Sequence, residues 1–249
     1  MKSISICIAS SLLLVVAACT SESADSEESA VESVAQDLKV KDSCAQLPVN
    51  LRNAAVFAVL AGSTVTNTGP TTVTGDLGVS PGTALTGFLP GKIVGTAHLG
   101  DPTAATAEAD LTTAYNDAAG RTLCPVSVAG NLGGLTLAPG LYKSTSSLEI
   151  SSGDLTLDAK GNANAVFIFQ MASTLTTTSG RRVILKGGAK SSNVFWQVGS
   201  SATLGTKSVV KGTIMADQAI TLNTGATLDG RALARIAAVA LDTNAVTRP

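Results

Sequence analysis

The sequence predicts a mainly β protein, a β-solenoid of about six coils with one α-helix packed along a side. Three observations predict this fold. Short strand-like segments recur along the chain, each with one aliphatic residue between small polar residues. A single alanine-rich stretch has helical spacing instead. Aromatic residues make up only 3% of the chain, which suits thin coils packed by small aliphatic side chains rather than a core of large rings.

The N-terminus has the features of an export signal. Lys2 supplies a positive charge, and Ile4–Val16 is an apolar run too short for a stable transmembrane helix. Small residues directly before Cys19 resemble the bacterial lipobox, so residues 1–18 are predicted to be a lipoprotein signal peptide and Cys19 the lipidated residue. The alternative is an ordinary signal peptide with an incidental cysteine. Thr20 differs from the Asp that usually marks inner-membrane retention, which favours the outer membrane or the cell surface.

Residues 19–45 are predicted to form a disordered tether that begins at the lipidated cysteine. Acidic residues repel one another there, and the Ser and Ala between them cannot bury enough apolar surface to fold. These acidic residues are Glu22, Asp25, Glu27, Glu28, Glu32, Asp37 and Asp42. The folded domain is then expected to occupy residues 46–249.

Two cysteines remain for the domain once Cys7 leaves with the signal and Cys19 is acylated. An even pair in an exported domain suggests a disulfide, here between Cys44 and Cys124. It would connect the entry of the domain to the segment after its helix. Two free thiols are the alternative, because spacing alone does not give the Cα separation that a disulfide needs.

The repeating unit consists of three short strands with turns between them. Its second strand is aligned on one inward aliphatic residue in six members: Val65, Ile150, Leu175, Leu204, Leu222 and Leu241. The last four intervals are 25, 29, 18 and 19 residues, roughly the length that three strands of about five residues with tight corners need. Because no unit can bury its apolar face alone, stacked units share one continuous core.

The helix is predicted at about residues 102–119. Asp101 suits the N-cap and Pro102 the first helical position, whereas Gly120 suits the C′ position after the last turn. A stripe of mostly small side chains lies on one face at helical spacing: Ala107, Leu111, Ala114 and Ala118. So small a contact face lets the helix lie close against a sheet. A helix inserted after one β unit would also carry the chain along the stack.

Six stretches between about Asn50 and Val246 carry a specific set of motifs. They are Phe57–Gly69, Gly75–Gly82, Asp110–Tyr115, Gly133–Tyr142, Asn193–Gly199 and Leu222–Ala234. In these stretches the sequence resembles the microbial ice-binding proteins of the DUF3494 type. The resemblance implies a right-handed, discontinuous β-helix of triangular cross-section, with a first coil packed beside the last and one helix along a side. It also implies binding to ice crystal surfaces, which inhibits ice growth and recrystallisation.

Strand alternation places the neighbours of each inward aliphatic residue on the outside of the second strand. We expect them to stack in two files about 4.7 to 4.9 Å apart from coil to coil. One file would contain Thr64, Glu149, Thr174, Thr203, Thr221 and Ala240, and the other Thr66, Ser151, Thr176, Gly205, Asn223 and Asp242. The predicted ice-binding site comprises all of these except Glu149 and Ser151.

A flat threonine-rich surface has the chemistry to order water. Each threonine offers a methyl group and a hydroxyl on a stiff side chain, and the two files repeat near the spacings between oxygen atoms in ice. Ordered water bridges cost little free energy where the ice lattice already favours them. A rigid protein surface also loses little entropy on binding. The resemblance points to this same face. Because Glu149 and Asp242 place charge at or near the files, we expect moderate rather than high activity.

Composition argues against several other classes of function. A net charge of −1, with only 14% charged residues, leaves no basic surface for nucleic acid. The single histidine, His98, is expected to be a satisfied loop residue, and we expect no metal and no cofactor. The expected partners are the ice surface and, through the lipid anchor, a membrane, and the protein is expected to be monomeric.

Two alternatives to ice binding stay open. Parallel β-helices often host polysaccharide-cleaving enzymes, and six charged residues could stack into a row: Asp158, Lys160, Lys186, Lys211, Asp229 and Arg231. No pair of acids repeats at one coil position, so the chain is not expected to be an enzyme. A cell-surface adhesin or carbohydrate-binding module would suit the anchor and tether. Its usual exposed aromatic platform is not evident, because Tyr115, Tyr142 and Trp196 are scattered and Trp196 lies in an apolar strand.

Overall fold

The computed structural model describes residues Cys44–Pro249. The predicted signal peptide, the lipidation at Cys19 and nearly all of the predicted tether therefore lie outside the described residues. Of the helices within Cys44–Pro249, none combines the length and the apolar character that crossing a bilayer requires.

The described chain forms a three-sided parallel β-helix in which each coil contributes one strand to each side. The first side contains β1 (Phe57–Ala61), β4 (Asp76–Val79), β7 (Ala97–Leu99), β8 (Pro125–Ser127), β11 (Gly140–Ser144), β14 (Phe167–Met171) and β17 (Val194–Val198). The second side contains β2 (Thr64–Thr68), β5 (Ala84–Thr86), β9 (Gly130–Asn131), β12 (Leu148–Ile150), β15 (Leu175–Thr177), β18 (Ala202–Leu204), β20 (Ile220–Leu222) and β22 (Val239–Asp242). The third side contains β3 (Thr72–Thr74), β6 (Lys92–Val94), β10 (Thr136–Leu137), β13 (Leu155–Asp158), β16 (Val183–Lys186) and β23 (Ala245–Thr247).

Two long strands, β19 (Val209–Ala216) and β21 (Thr227–Ala234), run from the third side onto the first. Each turns the corner at a glycine, Gly212 or Gly230, and the two glycines face each other in the register of the strands. A Cβ atom on Gly230 would collide with the backbone oxygen of Gly212. Glycine therefore lets adjacent coils stack at full contact where the chain bends.

The order of the stack differs from the order of the sequence. β1, β2 and β3 of the first coil pair in parallel with β21, β22 and β23 at the end of the chain. This confirms the prediction that the first coil packs beside the last. The prediction of about six coils is wrong, because the second side has eight strands. The two missed coils, those of β5 and β9, lie at the two ends of the stack and have few inward aliphatic residues to reveal them.

The interior is filled by aliphatic side chains and one short aromatic stack. The rings of Tyr142, Phe169 and Trp196 lie above one another in successive coils, with centroid separations of 5.1 and 4.2 Å. Trp196 is fully buried, as its apolar strand predicted, and its indole N–H donates to the Lys211 carbonyl oxygen over 2.9 Å. These rings stabilise the core, and none of the three forms an exposed platform.

The helix α1 (Pro102–Gly120) packs along the first side. All four residues of the predicted contact stripe are buried, and they form a second apolar cluster with the outward side chains of that side. Asp101 caps the first turn by accepting from the Ala104 N–H over 2.8 Å. His98 lies in β7 rather than in a loop as predicted, and its Nδ1 is 2.7 Å from an Asp101 carboxylate oxygen.

The C-terminal end of α1 differs from the prediction. Gly120 was predicted as a residue beyond the helix, but the helix includes it and Arg121 is the extended C-cap. A glycine in left-handed conformation is not needed, because the Gln170 amide nitrogen of β14 lies 2.6 Å from the Ala118 oxygen, 3.2 Å from that of Ala119 and 2.9 Å from that of Arg121. A side chain from the β-helix thus satisfies the terminal carbonyl groups.

The chain enters the domain beside the end of this helix. Cys44 and Cys124 are joined in a disulfide, with their Cα atoms 5.5 Å apart. The segment from Cys44 to Val56, which we call the entry segment, runs along the first side and ends in a 3-10 helix, Arg52–Val56, next to α1. The first side is thereby covered by α1 and the entry segment, which packs into the same second apolar cluster.

Candidate functional site

The second side presents one central file of outward side chains. Its strands β12, β15, β18 and β20 each place one residue outward between two inward residues, which is the alternation expected of a strand with one buried face. The strand register aligns the outward residues, in stack order, as Thr86, Thr66, Ala240, Thr221, Thr203, Thr176, Glu149 and Asn131. Neighbours along this file repeat every ~4.8 Å.

A second file borders the central one where the chain enters each strand. Its members are Ala84, Thr64, Ala238, Ala219, Ser201, Thr174 and Ser147, all small and all at least partly exposed. Backbone bonds between coils hold the file in line, for example from the Ile220 N–H to the Ala238 oxygen at 3.0 Å. The hydroxyl groups of Thr174 and Ser147 are also 2.9 Å apart. We call this the entry file.

The third file lies where each strand ends, and it is less regular. It contains Thr68, Asp242, Asn223, Gly205, Thr178 and Ser151. The Asp242 carboxylate accepts hydrogen bonds from the hydroxyl groups of Thr224 and of Thr243. The Thr178 hydroxyl donates to the Ser151 carbonyl oxygen at 3.2 Å. This exit file is therefore polar and internally bonded rather than a uniform row of threonines.

The expected arrangement in two files is wrong in its register. Leu175 was aligned with Leu204, but it pairs with Ala202, and Val65 pairs with Val239 rather than Leu241. Two strands are thus displaced by two residues from their expected places. Thr64 and Thr174 consequently lie in the entry file.

Correcting the register aligns the outward central residues of five neighbouring coils, four of which are threonines. Thr66 and Thr176 join Thr203, Thr221 and Ala240 in the central file. These five residues belong to an uncharged run of small side chains that continues to Thr86 in one direction and ends at Glu149 in the other, and the entry file adds a second row over the same coils. The structure therefore brings seven of the predicted residues into one continuous patch, namely Thr64, Thr66, Thr174, Thr176, Thr203, Thr221 and Ala240.

Gly205 was predicted to face outward, but the structure buries it. A Cβ atom at this position would lie 2.6 Å from the carbonyl carbon of Thr178 in the next coil. The Gly205 N–H also donates to the Thr177 hydroxyl over 2.9 Å. Gly205 thus allows two coils to approach closely at a corner, and it contributes no side chain to the surface.

The charges lie at the borders of the patch. Glu149 interrupts the central file one coil beyond Thr176 and accepts a 2.8 Å hydrogen bond from the Ser151 hydroxyl. Asp242 lies in the exit file beside Ala240. We define the flat patch as the central and entry files of the five coils from β2 to β15. It contains no ionisable side chain, so its surface can hold water through hydroxyl groups alone.

Sequence reasoning missed several members of the patch. Ser201, Ala219 and Ala238 in the entry file precede strands whose inward residues are paired as aliphatic–X–aliphatic, as in Ile220–Leu222. Aligning the repeats on both inward positions would have found them. The pattern fails in β15 and β2, where the second inward residue is Thr177 or Asn67, and that failure caused the error in register.

The chain is similar in sequence and in fold to known proteins. The family model described as "Ice-binding-like" matches residues 59–247. An ice-binding protein of Nostoc sp. (strain HG1) is 49% identical over 198 residues, covering 79% of this chain and 73% of that protein. One of Flavobacterium frigoris (strain PS1) is 39% identical over 216 residues, covering 81% of this chain and 76% of the relative.

The solved structures that resemble this chain include ice-binding proteins as well. The crystal structure of an ice-binding protein from an Antarctic biological consortium superposes with a TM-score of 0.81 at 58% identity, covering 82% of this chain and 92% of that one. That of an Antarctic ascomycete, Antarctomyces psychrotrophicus, gives a TM-score of 0.76 at 42% identity, covering 80% and 98%. The chain belongs to the Ice-binding-like family.

Proposed function

We propose that the protein binds ice through the flat patch and thereby inhibits ice growth and recrystallisation. The observation that carries the proposal is the uninterrupted double row of small uncharged side chains across five parallel coils. Relatives and structural neighbours named as ice-binding proteins support it.

The patch suits a repetitive ligand because its own geometry is repetitive. The threonine methyl groups limit the hydrogen bonds that would compete with an ordered layer of water. The hydroxyl groups supply regularly spaced hydrogen bonds to that layer. Parallel pairing holds the strands in place on both sides of every central residue. The patch is therefore already ordered before it binds, and the protein loses little conformational entropy on binding. Each contact is weak, so the binding free energy comes from many contacts made at once.

The direct test of this proposal is to grow single ice crystals slowly in the presence of the purified protein. We expect faceted crystals, a halt in growth within a measurable range below the melting point, and small grains after annealing. A buffer of equal osmolality without protein provides the control for colligative effects. Round, freely growing discs from folded protein would contradict the proposal.

A binding role rather than catalysis is also part of the proposal. Three of the six charged residues that could have formed an enzymatic row are used in other ways: Lys211 pairs with Asp229 over 3.1 Å, and Arg231 donates to the Ala55 carbonyl oxygen on the first side. The three aromatic residues considered for sugar binding, Tyr115, Tyr142 and Trp196, are buried.

We further propose that the domain is held at the cell envelope by a lipid on Cys19 and acts as a monomer. The support comes from the sequence around Cys19 and from the acidic segment that follows it. Cys19→Ala should move the protein from the membrane fraction to the soluble fraction in a two-membrane bacterium that expresses it. Equal membrane association of both forms would contradict the anchor, and light scattering of purified protein tests the monomer.

A further inference from the structure

A cavity of about 370 Å³ lies on the first side, whereas the flat patch lies on the second side. Its walls come from the entry segment, from the turn at Ser191–Asn193 that precedes β17, and from the outward side chains of the first side. Phe195, Leu51 and Val49 supply apolar surface. A volume of this size is within the range of sites that hold small organic molecules.

A buried cation forms one wall of the cavity. Arg231 is 8% exposed. Its Nε donates to the Ala55 carbonyl oxygen over 3.0 Å, and its Nη1 is 3.3 Å from the Thr213 hydroxyl. Arginine has five N–H donors, so these two contacts leave part of the guanidinium unused. Within Cys44–Pro249, no carboxylate lies within 4.0 Å of Arg231.

The charged side chains that line the cavity do not neutralise this cation. Arg52, the second charged residue of the wall, is positive as well, and its partner Asp110 lies outside the cavity, 3.6 Å from the Arg52 Nη1. Burial, together with the nearby charge of Arg248, lowers the pKa of Arg231 to about 10. A buried guanidinium without a carboxylate is costly unless an anion compensates it.

We propose that the cavity binds a small organic carboxylate. Its anionic head pairs with the free edge of the Arg231 guanidinium, a geometry that favours two parallel hydrogen bonds. Its apolar body lies against Phe195 and Leu51, which line the cavity. Such a ligand would connect the entry segment to the first side of the β-helix.

The test uses benzoate as the probe and neutral benzamide, which has nearly the same shape, as its control. We expect benzoate to bind the purified protein saturably by calorimetry and to raise its melting temperature, because a ligand that binds only the folded state stabilises it. Benzamide should do neither at the same concentration. Equal effects of both compounds, no effect of benzoate, or binding of inorganic phosphate without benzoate would each overturn the proposal.

Two variants test the location of the site without removing the Arg231 contacts. Ser192→Trp places a large side chain in the wall and should weaken benzoate binding at least about tenfold, which corresponds to about 1.4 kcal/mol. Arg52→Gln removes the second positive charge and should weaken it several-fold. Lys186→Gln on the third side is the matched control and should leave binding unchanged. Unchanged benzoate binding in Ser192→Trp would overturn the assignment of the site to this cavity. Whether that variant still shapes ice crystals is a separate measurement, which tests the flat patch and not the cavity.

Discussion

Single residues decide how the flat patch is assembled. Leu175 and Leu204 look equivalent in sequence, because each is aliphatic and flanked by small polar residues. The structure separates them, since Leu175 occupies the first inward position of its strand and Leu204 the second. A shift of two residues preserves which side chains face outward, so the sequence predicts the outward set correctly except at Gly205, which is buried. It does not give their lateral positions, because these depend on hydrogen bonds to the neighbouring coil.

Gly205 gives the first prediction at the scale of the residue. Gly205→Ala should destabilise the fold by about 1–3 kcal/mol, because the added methyl group collides with the neighbouring coil at the Thr177–Thr178 corner. Denaturant-induced unfolding measures the change. Gly120→Ala is the control, since an added Cβ there meets nothing within 4 Å and the residue is helical. A larger loss in Gly120→Ala than in Gly205→Ala would contradict the account.

Glu149 gives a second residue-scale prediction. Glu149→Thr should strengthen inhibition of ice growth, because it replaces a strongly hydrated carboxylate in the central file and lengthens the uncharged run by one coil. Thermal hysteresis measured at equal protein concentration tests this. Glu149→Gln removes the charge alone and should give an intermediate value. Weaker activity in Glu149→Thr, with an unchanged melting temperature, would place the ice contact elsewhere.

At the scale of elements, the sequence identifies the helix and most strands but not their terminations. Asp101 and Pro102 mark the start of α1 because N-capping is local in sequence. The end of α1 depends on Gln170, a residue about fifty positions away in β14, so no local pattern predicts it. The coils of β5 and β9 escape detection for a related reason. They lie at the ends of the stack, where only one neighbouring coil requires aliphatic contacts.

Gln170 provides the prediction at this scale. Gln170→Leu should cost about 2–4 kcal/mol of unfolding free energy, because it leaves buried carbonyl groups at the end of α1 without donors. Gln197→Leu is the matched control in the next coil, where the amide donates only to the Tyr115 hydroxyl at 2.9 Å. We expect a smaller loss there. Equal losses in chemical denaturation would show that Gln170 has no special role in capping α1.

At the scale of the whole molecule, the three sides have different roles. α1 and the entry segment cover the first side, and the second apolar cluster lies beneath them. The second side carries no such covering element among the described residues, which leaves the flat patch accessible to a surface much larger than the protein. The resemblance implied one helix along a side, and the repeats alone establish coils but not which side receives the helix.

The contact between α1 and the β-helix makes the stability of the molecule depend on pH. Burial raises the pKa of Glu108 to about 8, and the charge of Arg235 opposes the shift only in part. A carboxyl group whose pKa is higher in the folded state than in the unfolded state stabilises the fold relative to high pH. This stabilisation is complete below the ordinary pKa of 4.5, and it is lost as the pH rises through about 8.

The melting temperature should therefore fall between pH 5 and pH 9. Glu108→Gln, which stays neutral, should be more stable than the native protein at pH 9 and should lack this part of the decline. Differential scanning calorimetry at a series of pH values measures it. A decline of equal size in Glu108→Gln would show that another group is responsible.

The most direct test of the central claim measures how much protein enters slowly growing ice. The native protein should be enriched in the ice. Thr221→Tyr, which raises a bulky ring from the middle of the central file, should remain in the liquid while keeping its melting temperature. Thr72→Tyr, the matched change on the exposed third side, should enter the ice like the native protein. Enrichment of Thr221→Tyr to the native level would contradict binding through the flat patch.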